Sequence, residues 1–224
     1  MLDIIKGIVY FVNMKSYGQY CALAKALDLV GDRWTLLIVR ELLIREGSRY
    51  TDLRDGLPGI ATNLLVNRLR DMERSGLVWR EDAPPPIATT LFHLTSRGME
   101  LEEPLYQLGR WGAPLLANAP RKSAFRAHWL ALPVRHWLKD HAPDQPRVVM
   151  ELQTGGESIT VEAVDGEIRT NVGPAAHAPD AVVVGKPRVL AALLVGKLNL
   201  AQAQASGLTY EGNPETLRRF QPLA

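Results

Sequence analysis

Apolar residues recur at helical spacing through the first half of the chain and alternate with polar ones through much of the second. Ala22, Leu23, Ala26, Leu27 and Val30 give one helical face, stopped at Gly31. Asp32 is placed to cap a second helix whose apolar face holds Trp34, Leu37, Ile38 and Leu42. A short third helix over Tyr50–Asp55 ends at Gly56, and Leu57–Gly59 makes the turn into a fourth helix, Ala61–Ser75. Two β-prone runs follow, Leu77–Glu81 and Thr89–Leu94. Between them Asp82–Pro86 carries prolines that cannot donate to a ladder, which predicts a projecting loop. Thr95 then caps a long helix through Leu115, with a kink expected at Pro104.

The second half predicts strands over Arg147–Gln153, Glu157–Ala163, Glu167–Asn171 and Ala181–Val184, with tight returns at Thr154–Gly156 and Asp165–Gly166. Val149, Leu152, Ile159 and Val161 are expected to face inward. Helices over Pro187–Val195 and Leu198–Ala205, a strand over Leu208–Tyr210 and a helix over Pro214–Phe220 complete an α+β unit. Between the halves, Ser123–Lys139 reads as an amphipathic helix interrupted at Pro133, followed by the turn-rich His141–Pro146. The expected organisation is one domain over 14–118, a helical linker over 119–146 and a second domain over 147–224. No repeat at solenoid periods is present.

Three helices followed by a two-stranded projection is the order of a winged helix-turn-helix. The last of these helices, Ala61–Ser75 and fourth in the chain, carries the most telling chemistry. Leu65, Leu69 and Met72 form a core stripe, while Asn63, Val66, Asn67 and Arg70 recur on another face, flanked by Thr62 and Arg68. Amides, a guanidinium and small methyl groups on one exposed stripe suit base edges in a DNA major groove. Arg49, Arg54 and Arg74, with Arg80 at the base of the projection, are placed for the phosphate backbone. The competing reading is a solvated helix face whose arginines satisfy Asp71 and Glu73. Trp79, Phe92 and His93 are expected to support the wing. Leu101, Leu105, Leu108, Trp111 and Leu115 form a stripe larger than a three-helix core needs, so it is expected to pair with a twin or to dock on the second domain.

Composition narrows the picture. With 224 residues, 46% hydrophobic and 22% charged, the chain is globular. Its net charge of +2 supplies no general positive field, so nucleic-acid binding would need a local surface. The single cysteine, Cys21, excludes an intrachain disulfide, and no zinc or iron–sulfur ligand set is visible, so no cofactor or metal is expected. A cytoplasmic setting fits. An apolar run, Leu2 to Val12, is interrupted by Asp3 and Lys6 and is too short to span a bilayer; it is expected to pack on the body or on a second subunit.

Residues 21–112 resemble the HxlR branch of the MarR-like winged-helix regulators. The resemblance lies in Cys21–Leu43, with its Val30-Gly-Asp-Arg-Trp34 core, and in Arg49–Ile60, Asn63–Val78, Leu94–Gly98 and Trp111–Gly112. It implies a homodimeric transcription factor with Ala61–Ser75 as recognition helix, a wing near Leu77–Leu94, and pairing through the N-terminal and Ser96–Leu115 helices. Some family members carry a redox-sensing thiol at the position of Cys21, the competing reading here being inert packing; a dimer of this kind is expected to sit on an inverted repeat. The later region resembles the sterol-carrier-protein type 2 fold, through Asp165-Gly166, Pro179–Gly185, Leu193–Lys197 and Gly207–Leu217. That implies a pocket for a hydrophobic effector; the apolar pattern offers Val149, Ile159, Val161, Val189, Leu193, Leu194 and Leu198 as candidate lining, a set that is equally a core, and the competing reading is a packing or dimerisation module without an effector.

Catalysis has little to stand on. The five histidines form no metal-ligand spacing, and no phosphate-binding loop or nucleophile elbow occurs. His136 and Asp140 are expected to hydrogen-bond on one helical face. The chain therefore reads as a DNA-binding regulator and not an enzyme, the alternative being a lipid carrier without specific DNA recognition.

Overall fold

Leu53, Leu57, Leu65, Met72 and Leu77 are almost wholly removed from water and gather the first-half helices into one core. Burying each side chain of this kind contributes about 1.5–3 kcal/mol. The computed structural model describes residues 16–45, 47–84, 88–120 and 122–222. It divides into two units, Met1–Leu116 and Ala117–Ala224, each with its own core. The apolar run expected over residues 2–12 lies outside the described residues.

In the first unit α1 (Ala22–Val30) buries only Ala24, whereas α2 (Thr35–Ile44) is buried along most of its length. Asp32 does not cap α2. Trp34 takes that position with a left-handed backbone, φ +82°, and no side chain caps the helix. The Asp32 carboxylate is engaged elsewhere, as described below. β1 (Ser48–Arg49), a pair too short to leave a pattern in the sequence, precedes α3 (Tyr50–Gly56). Gly56 ends α3 where Glu41, fully buried on α2, passes so closely that a Cβ would meet its carboxylate. Arg40 (2.7 Å) and Arg45 (3.4 Å) neutralise that carboxylate, since a buried charge must be paired.

α4 runs over Thr62–Arg74, and the wing pairs β2 (Val78–Ala83) with β3 (Thr89–Leu94) in antiparallel register, Val78 opposite Leu94 and Ala83 opposite Thr89. Asp82 and Ala83, expected in the loop, extend β2: Thr90 Oγ1 donates to Asp82 Oδ1 at 2.8 Å. Ser48 and Arg49 add a third strand by pairing with Phe92 and Leu91. The long helix expected over Ser96–Leu115 is broken into α5 (Ser96–Met99), α6 (Glu102–Gly112) and a 3₁₀ turn, Ala113–Asn118. The break falls at Glu100–Leu101, so Pro104 sits in the first turn of a new helix, where its missing N–H costs nothing.

In the second unit Ala131, Leu132 and Val134 of α7 (Ala131–Trp137) are buried against the sheet. The stretch 119–146, expected as a linker, thus contributes core. Pro133 lies in the first turn of α7, and the chain then turns extended as β4 (Leu138–Asp140) instead of continuing as helix. β5 (Val148–Thr154), β6 (Glu157–Val164), β7 (Glu167–Val172) and β8 (Ala181–Val184) follow, then α8 (Pro187–Leu194), α9 (Leu200–Ala205), β9 (Thr209–Gly212), α10 (Pro214–Arg219) and β10 (Phe220–Pro222). The five-stranded sheet has order β7-β6-β5-β8-β9, with β5 and β8 parallel and the other pairs antiparallel. Gly155 and Gly156, both at positive φ, make the two-residue turn between β5 and β6.

Register corrects one expected grouping. Met150 lies opposite Val161 and Leu152 opposite Ile159, so these share the inner face. Val149, one residue out of phase, points to the other face, because strand side chains alternate. On that face Glu151 accepts the Ala175 N–H, and the crossover 173–180 is further held by Thr160 Oγ1 to the Gly173 carbonyl, Gly173 N–H to the Ser158 carbonyl, Asp180 N–H to the Val149 carbonyl and Val149 N–H to the Asp180 carboxylate. His136 does not hold Asp140. Arg219 does, through paired bonds of 2.8 and 2.9 Å with both side chains buried. This clasp ties α10 to β4 beside the antiparallel β4–β10 pair.

Candidate nucleic-acid interface

The stripe on α4 is assembled by three local constraints. Leu65, Leu69 and Met72 turn inward and are buried. Tyr50 on α3 donates its hydroxyl to the Thr62 carbonyl at 3.1 Å, fixing the first turn. Ala61, at the N-cap, offers no side-chain cap, so the first-turn N–H groups are left open. On the outer side Thr62, Asn63, Asn67 and Arg70 are exposed and Val66 is half-buried. Among the described residues the Arg70 guanidinium has no ion-pair partner, and the Asn63 and Asn67 amides make no side-chain hydrogen bond.

The flanking arginines are less free. Arg68, expected beside the reading stripe, is mostly buried and pairs with Asp32 and with Asp71 (3.2 Å). Arg74 is exposed but bonds Asp71 and its own helix at the Arg70 carbonyl (3.3 Å). Arg80 pairs with Glu73 at 3.1 Å. Arg54 lies 3.6 Å from Asp55, and Arg49 is exposed, its backbone N–H bonded to Asp52. On the wing Trp79 stacks on His93 with ring centroids 4.4 Å apart, and His93 Nε2 lies 3.1 Å from Glu81. Sequence reasoning missed Arg33, whose guanidinium sits 5.8 Å over the Trp34 ring; a side chain placed by a left-handed Trp leaves no periodic signal.

The stripe on α6 is unburied. Leu101 and Leu105 are half-buried, whereas Leu108, Trp111 and Leu115 are exposed, Trp111 by 75%. Leu23, Leu27, Leu37 and Leu116 are exposed as well. Cys21, a free and exposed thiol, occupies the N-cap of α1.

In the second unit the seven candidate lining residues differ in burial and in the face they occupy. Ile159, Val161, Leu193 and Leu194 are packed core, Val189 and Leu198 are half-buried, and Val149 lies on the opposite face. An open groove of about 750 Å³ lies at the strand ends, lined by Thr154–Ser158, Val184–Pro187, Gly207 and Thr209. Among the described residues no cluster of metal-ligating side chains occurs, and no helix is long and apolar enough to cross a membrane.

A helix-turn-helix with a three-stranded wing and an open, amide-bearing second helix, joined to a unit of mixed α/β topology, defines the class: a winged-helix transcriptional regulator with a sterol-carrier-like second unit. The HxlR-like helix-turn-helix family matches residues 29–119, and the SCP-2 sterol transfer family matches residues 144–224. Over 100 residues the chain is 34% identical to the uncharacterized HTH-type transcriptional regulator sll1512 of Synechocystis, covering 44% of this chain and 73% of that protein. Over 87 residues it is 31% identical to the uncharacterized HTH-type transcriptional regulator YvaP of Bacillus subtilis, covering 39% and 80%. A solved structure of the redox regulator HypR in its oxidized form is 26% identical, covers 42% of this chain and 96% of that one, and superposes with a TM-score of 0.40. The chain belongs to the HxlR-like helix-turn-helix family, and the matched relatives are named as HTH-type transcriptional regulators.

Proposed function

We propose that the chain is a homodimeric, sequence-specific DNA-binding regulator that lays α4 of each protomer in the major groove over one half of an inverted repeat. The observation that carries this reading is the outer stripe of α4, whose amides and guanidinium have no side-chain hydrogen bond or ion pair among the described residues. Asn63 and Asn67 suit paired bonds to adenine, Arg70 suits guanine O6 and N7, and Val66 and Thr62 offer methyl contacts to thymine. Arg49, Arg54 and Arg74 take the phosphate backbone, together with the uncapped N–H groups of the first turn. The α6 stripe and the exposed face of α1 pair with their copies, which sets the spacing of the two reading helices.

For the second unit the reading is a hydrophobic effector, supported by its match to a sterol transfer family. Because Ile159, Val161, Leu193 and Leu194 are packed, such a ligand would have to part α8 from the sheet. The effector then acts only through a difference in its affinity for DNA-competent and DNA-incompetent states. Selection from random duplex DNA by the full chain, with mass analysis of co-purified small molecules, tests the proposal. A reproducible palindrome is expected. A bound lipid with no DNA preference would replace the regulator by the carrier.

A further inference from the structure

Arg68 and Glu73 lie on opposite flanks of the open stripe. At 3.6 residues per turn, Arg68 sits about 140° around the α4 axis from Asn63, and Glu73 about 80° away in the opposite sense. Each is held by a residue outside α4. Arg68 pairs with Asp32 in the turn between α1 and α2, and Glu73 pairs with Arg80 at the base of the wing. Asp71 adds a second bond to Arg68 from within the helix. The Arg68 Nε is buried without a hydrogen-bond partner, so its guanidinium is directed by the Asp32 and Asp71 carboxylates and not by solvent. The Asp32 end adjoins Trp34, which holds a φ of +82°, a conformation costly for a bulky residue and kept only where its surroundings impose it.

We infer that Arg68 and Glu73 are positioning residues: two cross-element ion pairs, Arg68–Asp32 and Glu73–Arg80, clamp the roll of α4 and so set which way Asn63, Asn67 and Arg70 face. The inference rests on the DNA-reading function proposed above. Neither Arg68 nor Arg80 then reads or grips DNA. A helix turned by a few degrees moves every outward side chain together, so a loosened clamp blurs preference over the whole half-site instead of at one base pair.

The test compares full-length wild type with Asp32→Asn, Arg68→Gln, the Asp32→Asn/Arg68→Gln double variant, Glu73→Gln and Arg80→Gln. Each is assayed by selection on randomised duplexes, by affinity for the selected duplex and a scrambled one, and by thermal melting. Asp32→Asn lies off the reading stripe, yet it is expected to broaden preference at several base pairs. It should weaken the selected duplex roughly fivefold, the scale of an ion pair of about 1 kcal/mol, and change the scrambled duplex less than twofold. Arg68→Gln should do the same, and the double variant no worse than either single one. Glu73→Gln and Arg80→Gln should match each other. Loss of preference at a single base pair in Arg68→Gln, with Asp32→Asn unchanged, would make Arg68 a base reader and overturn the inference. Lower melting temperatures with unaltered preference would reduce both pairs to fold stability and overturn it too. A wild type that selects no sequence would remove the DNA-reading function itself, an outcome distinct from both.

Discussion

A guanidinium is informative only with its partner. Arg68 and Arg70 are two residues apart and chemically identical, yet one is gripped by Asp32 and Asp71 while the other stands open. Sequence spacing put both near the reading face, because Asp32 lies 36 positions away and no periodicity connects them. Asp140 offers the same lesson: His136, four residues off, looked like its partner, and Arg219, 79 positions on, is the actual one. The Arg219 guanidinium, with N–H groups from Ala142 and Gly166, holds the Asp140 carboxyl below its ordinary value of 3.8 despite burial. A carboxyl lowered in the folded state contributes stability that is full above its unfolded pKa and is lost as pH falls through the folded one. Asp140→Asn should therefore cost the second unit about 3–5 kcal/mol at neutral pH, as breaking a buried pair does, and the gap to wild type should begin to narrow once pH falls below 3.8. Denaturant unfolding followed through Trp129 and Trp137 at pH 7 and pH 3 would measure this. At the DNA face, Arg74→Ala should weaken all duplexes alike and lower the salt dependence of binding by about one counterion, read from affinities at several ionic strengths.

Elements with a strong period were plain in the sequence. Helix α4 appears within a residue of its expected ends, and the strands of the second unit fall close to where alternation put them. Breaks and short pairs were not legible. Residues Glu100 and Leu101 interrupt a continuous apolar pattern, and β1 is two residues long. The sequence pattern groups Val149 with Leu152, Ile159 and Val161 because an apolar residue carries no mark of which face it occupies; the β5–β6 register decides it. On α6 no residue is buried, although Leu108 and Trp111 are large and apolar. Trp111→Glu with Leu108→Glu should leave a folded monomer by sedimentation velocity. Binding to a full inverted repeat should then fall to that of a half-site. A dimer that survives both changes would move the interface elsewhere.

For the whole molecule, two units carry separate cores, and the proposed function assigns reading to the first and sensing to the second. The first unit was readable to the level of its candidate reading face, because polar side chains that fold leaves outward keep their helical spacing. The second was readable as a fold more than as a site: Ile159, Val161, Leu193 and Leu194 are packed core while Val189 and Leu198 are half-buried, and an apolar pattern does not tell a filled interior from a hollow one. The central claim is that the stripe Asn63, Val66, Asn67 and Arg70 distinguishes DNA sequences. Fluorescence-anisotropy titration of wild type, Asn67→Ala and Arg70→Ala against the selected duplex and its scrambled counterpart, at fixed salt, tests it most directly. Each substitution should cost about 1–3 kcal/mol on the selected duplex and leave the scrambled one unchanged; equal affinities of all three proteins for both duplexes would contradict it.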